Sequence, residues 1–410
     1  MTKVDIKARW TRLVSATLSM MLIGLYQYSW TIFKNPIQEA LHQDIATVQL
    51  TFTISTWAMT LSQPFSGYFA DKYGSLPVNI IGGMVVGLGW ICSSLAQTIN
   101  ALYLAYGLGA AGVGAIYGTS MSTASRLFPE RRGFATGVAA FGFGFGAALL
   151  NGPISWMVET LGYKAALQCF GLFMLGALTV FGFLSRYPSV GTHHENPEEE
   201  VKKGLLYRTV VHYSPKQMLR TRQWWILYVT FTLTASTGLM VTAQLADMGR
   251  FFGVSSRLVL LASEVFAITN GVGRIVGGWV SDRLGRERTM SIFFTLQGVL
   301  SIMLLRLGTF EVFFVILVAA IGFLWGPIFT FFPALTADYY GRRNSTVNYG
   351  ITYTAKGWGG LLGGYVAAIL SSQYGGFIAP ILTSTLFNFA AALAVMPRVM
   401  SSPQTRHKQS

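Results

Sequence analysis

Runs of about twenty mostly apolar residues recur along almost the whole chain, and that spacing leaves few folds open to it. They lie near 11–33, 47–70, 78–97, 100–125, 134–157 and 165–185 in the first half. In the second half they lie near 223–246, 258–280, 289–306, 311–336, 346–370 and 376–397. Charged residues make up 11% of the 410, against about 25% in a globular domain, and 52% are hydrophobic. The reading is an all-α membrane protein of twelve transmembrane helices lying in a lipid bilayer. The stretch at 11–33 is too long for the apolar core of a signal peptide and leads into further spans, so it reads as the first membrane helix.

One long polar segment interrupts the series. It carries Pro188, Pro197, Pro215 and the acidic run Glu198-Glu199-Glu200. It is read as a linker over 187–222, which separates an N-terminal six-helix bundle (1–186) from a C-terminal one (223–398), with a tail at 399–410. Of the 30 Lys and Arg residues, 23 fall in the N-terminus, the linker, the tail and every second loop, and 5 in the loops between. Cytoplasmic loops carry the excess of basic residues, so both termini and the linker are expected in the cytoplasm. The net charge of +14 is then an orientation signal and implies no nucleic-acid partner. Cys92 and Cys169 fall within apolar spans and suggest no disulfide framework. The five histidines lie in loops or the tail without metal-ligand spacing, so neither metal nor cofactor is expected.

The halves repeat each other. Gly67-Tyr68-Phe69-Ala70-Asp71-Lys72-Tyr73-Gly74 corresponds to Gly278-Trp279-Val280-Ser281-Asp282-Arg283-Leu284-Gly285 at an offset of 211 residues. The basic pair Arg131-Arg132 meets Arg342-Arg343 at the same offset. Two matches at one offset imply two similar six-helix bundles related by a pseudo-two-fold axis. Asp71 and Asp282 end helices, where a carboxylate can accept hydrogen bonds from a neighbouring helix N-terminus and the dipole there favours its charge. With Gly67, Gly278 and Arg283 they are candidates for conformational gating.

Two of the remaining basic residues, Arg274 and Lys356, stand inside apolar spans. A charged side chain near the bilayer centre costs about 2.5–3.5 kcal/mol on the lenient insertion scale, so it normally faces a polar cavity and serves a task. No carboxylate lies within helical reach of either: Asn270 precedes Arg274 by one turn, and Ala355, Gly357 and Gly360 surround Lys356. Their repeat-mates, Gln63 and Phe145, are uncharged. Arginine offers a planar fork for a carboxylate and lysine a compact point charge, a pair suited to a small dianion. Gln27, Tyr28 and Trp30, Tyr117, Trp325 and Phe329, and Tyr353 and Trp358 can supply aromatic walls and hydroxyl donors around it. The closely spaced glycines of spans 4 and 11 let helices approach and slide; inside apolar helices they are not a dinucleotide-binding loop.

The pattern Gly-x-x-x-Asp-(Arg/Lys)-x-Gly-(Arg) resembles the signature of the major facilitator superfamily. The second copy keeps it through Arg286, and the first departs at Ser75. The stretches Gln27-Tyr28-Ser29-Trp30-Thr31, Ile116-Tyr117-Gly118, Asn270-Gly271-Val272-Gly273-Arg274, Leu324-Trp325-Gly326 and Tyr353-Thr354-Ala355-Lys356 resemble those of the oxalate:formate antiporter family. The resemblance implies a bacterial inner-membrane carrier in which Arg274 and Lys356 bind a dicarboxylate, with Tyr28, Tyr117 and Trp325 around it and Gln27 and Asn270 close by. Phe329 departs from that family, which carries a tyrosine there. The alternative within the same superfamily is a proton-coupled monocarboxylate symporter, with Glu264 and Asp247 as candidate proton carriers. Animal monocarboxylate transporters carry an aspartate where Asn270 stands, and an asparagine takes up no proton. An enzyme is not expected, because no nucleophile, metal cluster or paired intramembrane carboxylates stand out. A sensor would need a soluble signalling domain for which linker and tail are too short. A monomer that exchanges small carboxylate anions by alternating access is the reading.

Overall fold

The computed structural model describes residues 6–187 and 212–403. The described residues are helical nearly throughout and include no strand. Most of the linker (188–211), with its acidic run and His193-His194, lies outside them, as do 1–5 and 404–410.

The chain opens with α1 (Ile6–Tyr28) and α2 (Trp30–Leu41), which part at Ser29. Ser29 Oγ donates to Asn151 Oδ1 at 2.5 Å, and Asn151 Nδ2 donates to the Tyr28 carbonyl at 3.4 Å. Polar side chains thus satisfy backbone that the interrupted helix leaves open. Next come α3 (Ile45–Tyr73), α4 (Ser75–Leu95), α5 (Ile99–Leu127), α6 (Arg132–Leu161) and α7 (Tyr163–Leu184). Asp44 and Thr98 cap α3 and α5 by accepting from the N–H groups of Thr47 and Ala101. A short α8 (Pro215–Leu219) carries a capping box between Ser214 and Gln217. It leads into α9 (Arg222–Phe251), α10 (Ser256–Leu284) and α11 (Arg286–Leu307).

The tenth expected span is divided into α12 (Glu311–Trp325) and α13 (Ile328–Tyr340) at Gly326-Pro327, where proline cannot donate to the helix ladder. The eleventh is divided further, into α14 (Ser345–Tyr353), α15 (Ala355–Gly360), a π-helical turn (Leu361–Val366) and α16 (Ala367–Gln373). The last helix is α17 (Ile378–Ala394). Among the described residues, eight spans are long and apolar enough to cross a membrane, the pair α12–α13 counting as one. The polar residues of α1, the Ser, Thr and Gln content of α3, the divided eleventh span and the 17-residue length of α17 account for the rest.

The residues form two compact units. The first comprises Met1–Glu130, Ala139–His212 and Tyr340–Ile351; the second comprises Arg131–Val138, Tyr213–Tyr339 and Thr352–Ser410. Each therefore contains a short stretch from the opposite half of the sequence. In the first unit small residues bring α4 close to its neighbours. A Cβ on Gly87 would stand 2.6 Å from that of Leu175, and one on Gly112 would stand 2.6 Å from the Gly82 carbonyl oxygen. Tyr106 donates to the Tyr26 carbonyl at 2.7 Å, and Tyr26 to that of Val86 at 3.2 Å. In the second unit α10 lies along α12 by the same device, because Gly273 faces the Phe323 carbonyl and Gly326 the Asn270 carbonyl.

Candidate functional site

Glycine packing decides where Arg274 stands. With Gly273 and Gly277 of α10 pressed on Phe323 and Pro327, the next turn of that helix faces the start of α13. The Thr330 hydroxyl donates to the Arg274 carbonyl at 3.3 Å. The guanidinium then lies over the Phe329 ring, its central carbon 4.9 Å from the centroid. Asn270, one turn earlier, accepts from Arg274 Nε at 3.2 Å. Arg274 is 2% exposed.

Lys356 reaches the same ring from α15, with Nζ 5.5 Å from the Phe329 centroid and 5.4 Å from that of Tyr353. Its ammonium donates to the Tyr353 hydroxyl oxygen at 3.2 Å. Lys356 is 3% exposed. Two cations therefore lie against one aromatic ring. Trp325 packs against Phe329 edge-on at 5.3 Å, and Phe231 meets both Phe329 and Tyr353 at 6.1 Å. Asn270 Nδ2 and Trp325 Nε1 are buried donors that find no hydrogen-bond acceptor among the described residues. Buried donors left in that condition are costly, about 1–3 kcal/mol each, and mark places where a ligand or water completes the set.

The first unit gathers other expected residues. Tyr28 and Tyr117 both contact Phe143 edge-on, at 5.7 and 5.4 Å, with Gln27 beside Tyr28 on the last turn of α1. Trp30 turns elsewhere, donating to Gln49 at 3.1 Å and packing at a tilt against Tyr106 at 5.0 Å. Trp358 is half exposed. Glu264 is exposed, and Asp247 pairs with Arg250 at the surface, so neither lies with the two cations. Phe143 and Phe231 were not singled out from the sequence. A signal for Phe143 existed in Gly24, whose missing side chain admits the Phe143 backbone.

The two Gly-x-x-x-Asp segments each place a carboxylate on a helix start. Asp71 accepts from the Val347 N–H at 2.9 Å, at the beginning of α14. Asp282 accepts from Gly133 and Phe134 N–H at 2.9 and 2.8 Å, at the beginning of α6. Positive dipole ends and carboxylates meet in both. Glycine makes the approach possible: a Cβ on Gly67 would lie 2.8 Å from the Thr346 carbonyl, and one on Gly278 would collide with that of Gly133. The braces were missed. Arg126 pairs with Asp71, and Arg286 with Asp282 at 2.5 Å. Arg286 also bonds Asp338 at 3.1 Å, which in turn pairs with Arg132. Arg283 is exposed and lies instead on the Trp279 ring at 3.7 Å.

A series of membrane-length helices, with two cations buried against one aromatic ring, defines a polytopic membrane protein. The sequence pattern of the Major Facilitator Superfamily matches residues 13–245 and, again, 226–410, and the chain belongs to this superfamily. It is similar to the oxalate:formate antiporter of Oxalobacter formigenes, 33% identical over 394 residues that cover 95% of this chain and 92% of that protein. Monocarboxylate transporter 13 of Rattus norvegicus is 24% identical and covers 88% of this chain and 82% of its own. The solved structure of the human organic anion transporter MFSD10 matches with a TM-score of 0.72 at 14% identity, over 95% of this chain and 99% of that one. The fold is that of the superfamily, all-helical with two six-helix halves, and these relatives are transporters.

Proposed function

We propose that the chain is a secondary carrier that exchanges small carboxylate anions by alternating access, oxalate for formate in kind. One observation carries the reading: Arg274 and Lys356, from different helices, converge on the Phe329 ring. Two buried like charges against one aromatic ring are a costly arrangement that a dianion bound to both relieves. Arg274 presents a fork to one carboxylate and Lys356 a point charge to the other. Asn270 Nδ2 and Trp325 Nε1 supply further donors. On the first unit, Tyr28 and Tyr117 are proposed as carboxylate donors. The likeness to an oxalate:formate antiporter supports the same substrate class. The Asp71 and Asp282 contacts, with Gly67, Gly278 and the neighbouring Arg283, are proposed to hold one state of the cycle and open in another. The chain is proposed to lie in a bacterial inner membrane as a monomer with both termini cytoplasmic.

Purified protein in liposomes tests the reading. Labelled oxalate should enter only when oxalate or formate is trapped inside, and a pH gradient alone should drive little uptake. The likeness to monocarboxylate transporter 13 favours one rival, proton-coupled monocarboxylate symport. Acid-driven uptake of lactate or pyruvate, with oxalate ignored, would establish that rival and remove the exchange reading.

A further inference from the structure

The helix that carries Lys356 contains a defect, and a neighbouring helix holds it in place. In the π turn Leu361–Val366, the Ala367 N–H donates to the carbonyls of Leu362 and Gly364 and passes over Gly363 between them. A π turn of this kind accommodates one extra residue in an otherwise α-helical run. The carbonyl passed over lies in the eleventh apolar span read from the sequence, where backbone groups are satisfied within the protein. Gln244 supplies a side-chain donor to it and to its neighbour. Its Nε2 donates to the Gly364 carbonyl at 2.9 Å and to that of Gly363 at 3.4 Å. Gln244 is 7% exposed and itself leaves helical geometry, at φ −125° and ψ 15°, which kinks α9 at that point.

The same two helices also touch closely at two glycines. A Cβ on Gly359 would lie 2.7 Å from that of Ala235, and one on Gly363 would lie 2.8 Å from the Met240 nitrogen. Lys356 precedes these glycines by three and seven residues, the spacing of one helix face. The π turn therefore absorbs its extra residue between Lys356 and α16. If the turn relaxed to α geometry with that residue retained, the two ends would rotate against each other by about 100°, the angle of one residue in a helix of 3.6 per turn. A rotation of that size would take the ammonium off the Phe329 ring.

We propose that Gln244 is a positioning residue for Lys356: by satisfying the carbonyls of the π turn, it sets the rotational phase that brings the ammonium to Phe329 and its anion. Its bearing on transport rests on the reading of Lys356 as an anion-binding residue; its bearing on helix phase does not. Gln244→Met keeps the side-chain length and removes the donor. The direct readout is the labelling rate of Lys356→Cys by a small methanethiosulfonate cation, measured on the full chain in detergent with Cys92 and Cys169 replaced by serine. Adding Gln244→Met should change that rate at least 10-fold. Deleting Leu361 as well removes the extra residue and the need for a π turn, and should restore the rate. Where Gln244→Met fails to fold, Gln244→Asn, which withdraws the amide by one methylene, takes its place.

In liposomes, with Lys356 intact, Gln244→Met should raise the KM for oxalate at least 10-fold while lowering the maximal exchange rate less than 3-fold. An unchanged labelling rate, or a changed rate that the deletion does not restore, would overturn the proposal. A changed and restored rate in a protein that never exchanges oxalate would support Gln244 as the positioning residue and retire the oxalate reading alone.

Discussion

Asn270 Oδ1 accepts a hydrogen bond from Arg274 Nε at 3.2 Å, one helical turn away, while the guanidinium carbon stands 4.9 Å from the Phe329 centroid. A neutral amide orients the arginine without cancelling its charge. An aspartate at 270 would pair with it and compete with the substrate. Asn270→Asp should therefore lower oxalate affinity by at least 10-fold, about 1.4 kcal/mol, in equilibrium binding at neutral pH. The new carboxylate is also a proton acceptor, so residual uptake should become sensitive to external acid.

Lys356→Gln removes one of the two cations and keeps a side chain of similar reach. A charge-assisted hydrogen bond contributes about 1.5–3 kcal/mol, so oxalate binding should weaken roughly 10- to 150-fold. Formate, with one charge to place, should lose much less. Calorimetric titration with each anion checks this, and unchanged oxalate affinity would remove Lys356 from the site.

Phe329 faces both cations, so its ring has a measurable electrostatic role apart from packing. Phe329→Leu keeps an apolar side chain and discards the ring. Cation–π contacts are worth about 0.5–2 kcal/mol each, and the ligand-free protein should melt several degrees lower. Saturating oxalate should recover part of the loss, because an anion that binds only the folded state adds to its stability. A thermal-shift series with and without oxalate measures both effects.

The latch carboxylates are expected to act on rate more than on binding. Asp282→Asn weakens the bonds from the Gly133 and Phe134 N–H groups and leaves Arg286 with Asp338 alone among its bonded carboxylates. Exchange should slow at least 10-fold with oxalate affinity within about 2-fold of the parent, since charged acceptors make hydrogen bonds about twice as strong as neutral ones. Gly278→Val should behave similarly, because its side chain would meet the Gly133 carbonyl. Initial-rate exchange beside equilibrium binding separates the two quantities; a matching loss of affinity would count against a latch.

Membrane character, the expectation of two repeated six-helix halves and the two intramembrane cations were legible in the sequence for simple reasons. Hydrocarbon excludes charge and unsatisfied backbone, so spans must appear as apolar runs, and Arg274 and Lys356 stand out as exceptions within them. Duplication left its mark at a constant offset in Gly67–Gly74 and Gly278–Gly285. What the linear chain does not encode locally is which side chains meet. Arg126 and Asp71 are 55 residues apart, and Arg132 and Asp338 are 206 apart. Only close packing of glycine-lined helices brings such pairs together. In the linear chain Trp30 and Trp358 are as suitable as Phe329, yet helix azimuth makes Phe329 the ring that both cations approach. The π turn and its Gln244 were equally hidden: an apolar, glycine-rich run reads as a continuous helix, and the extra residue shows itself only when a neighbouring helix must satisfy the carbonyl left over.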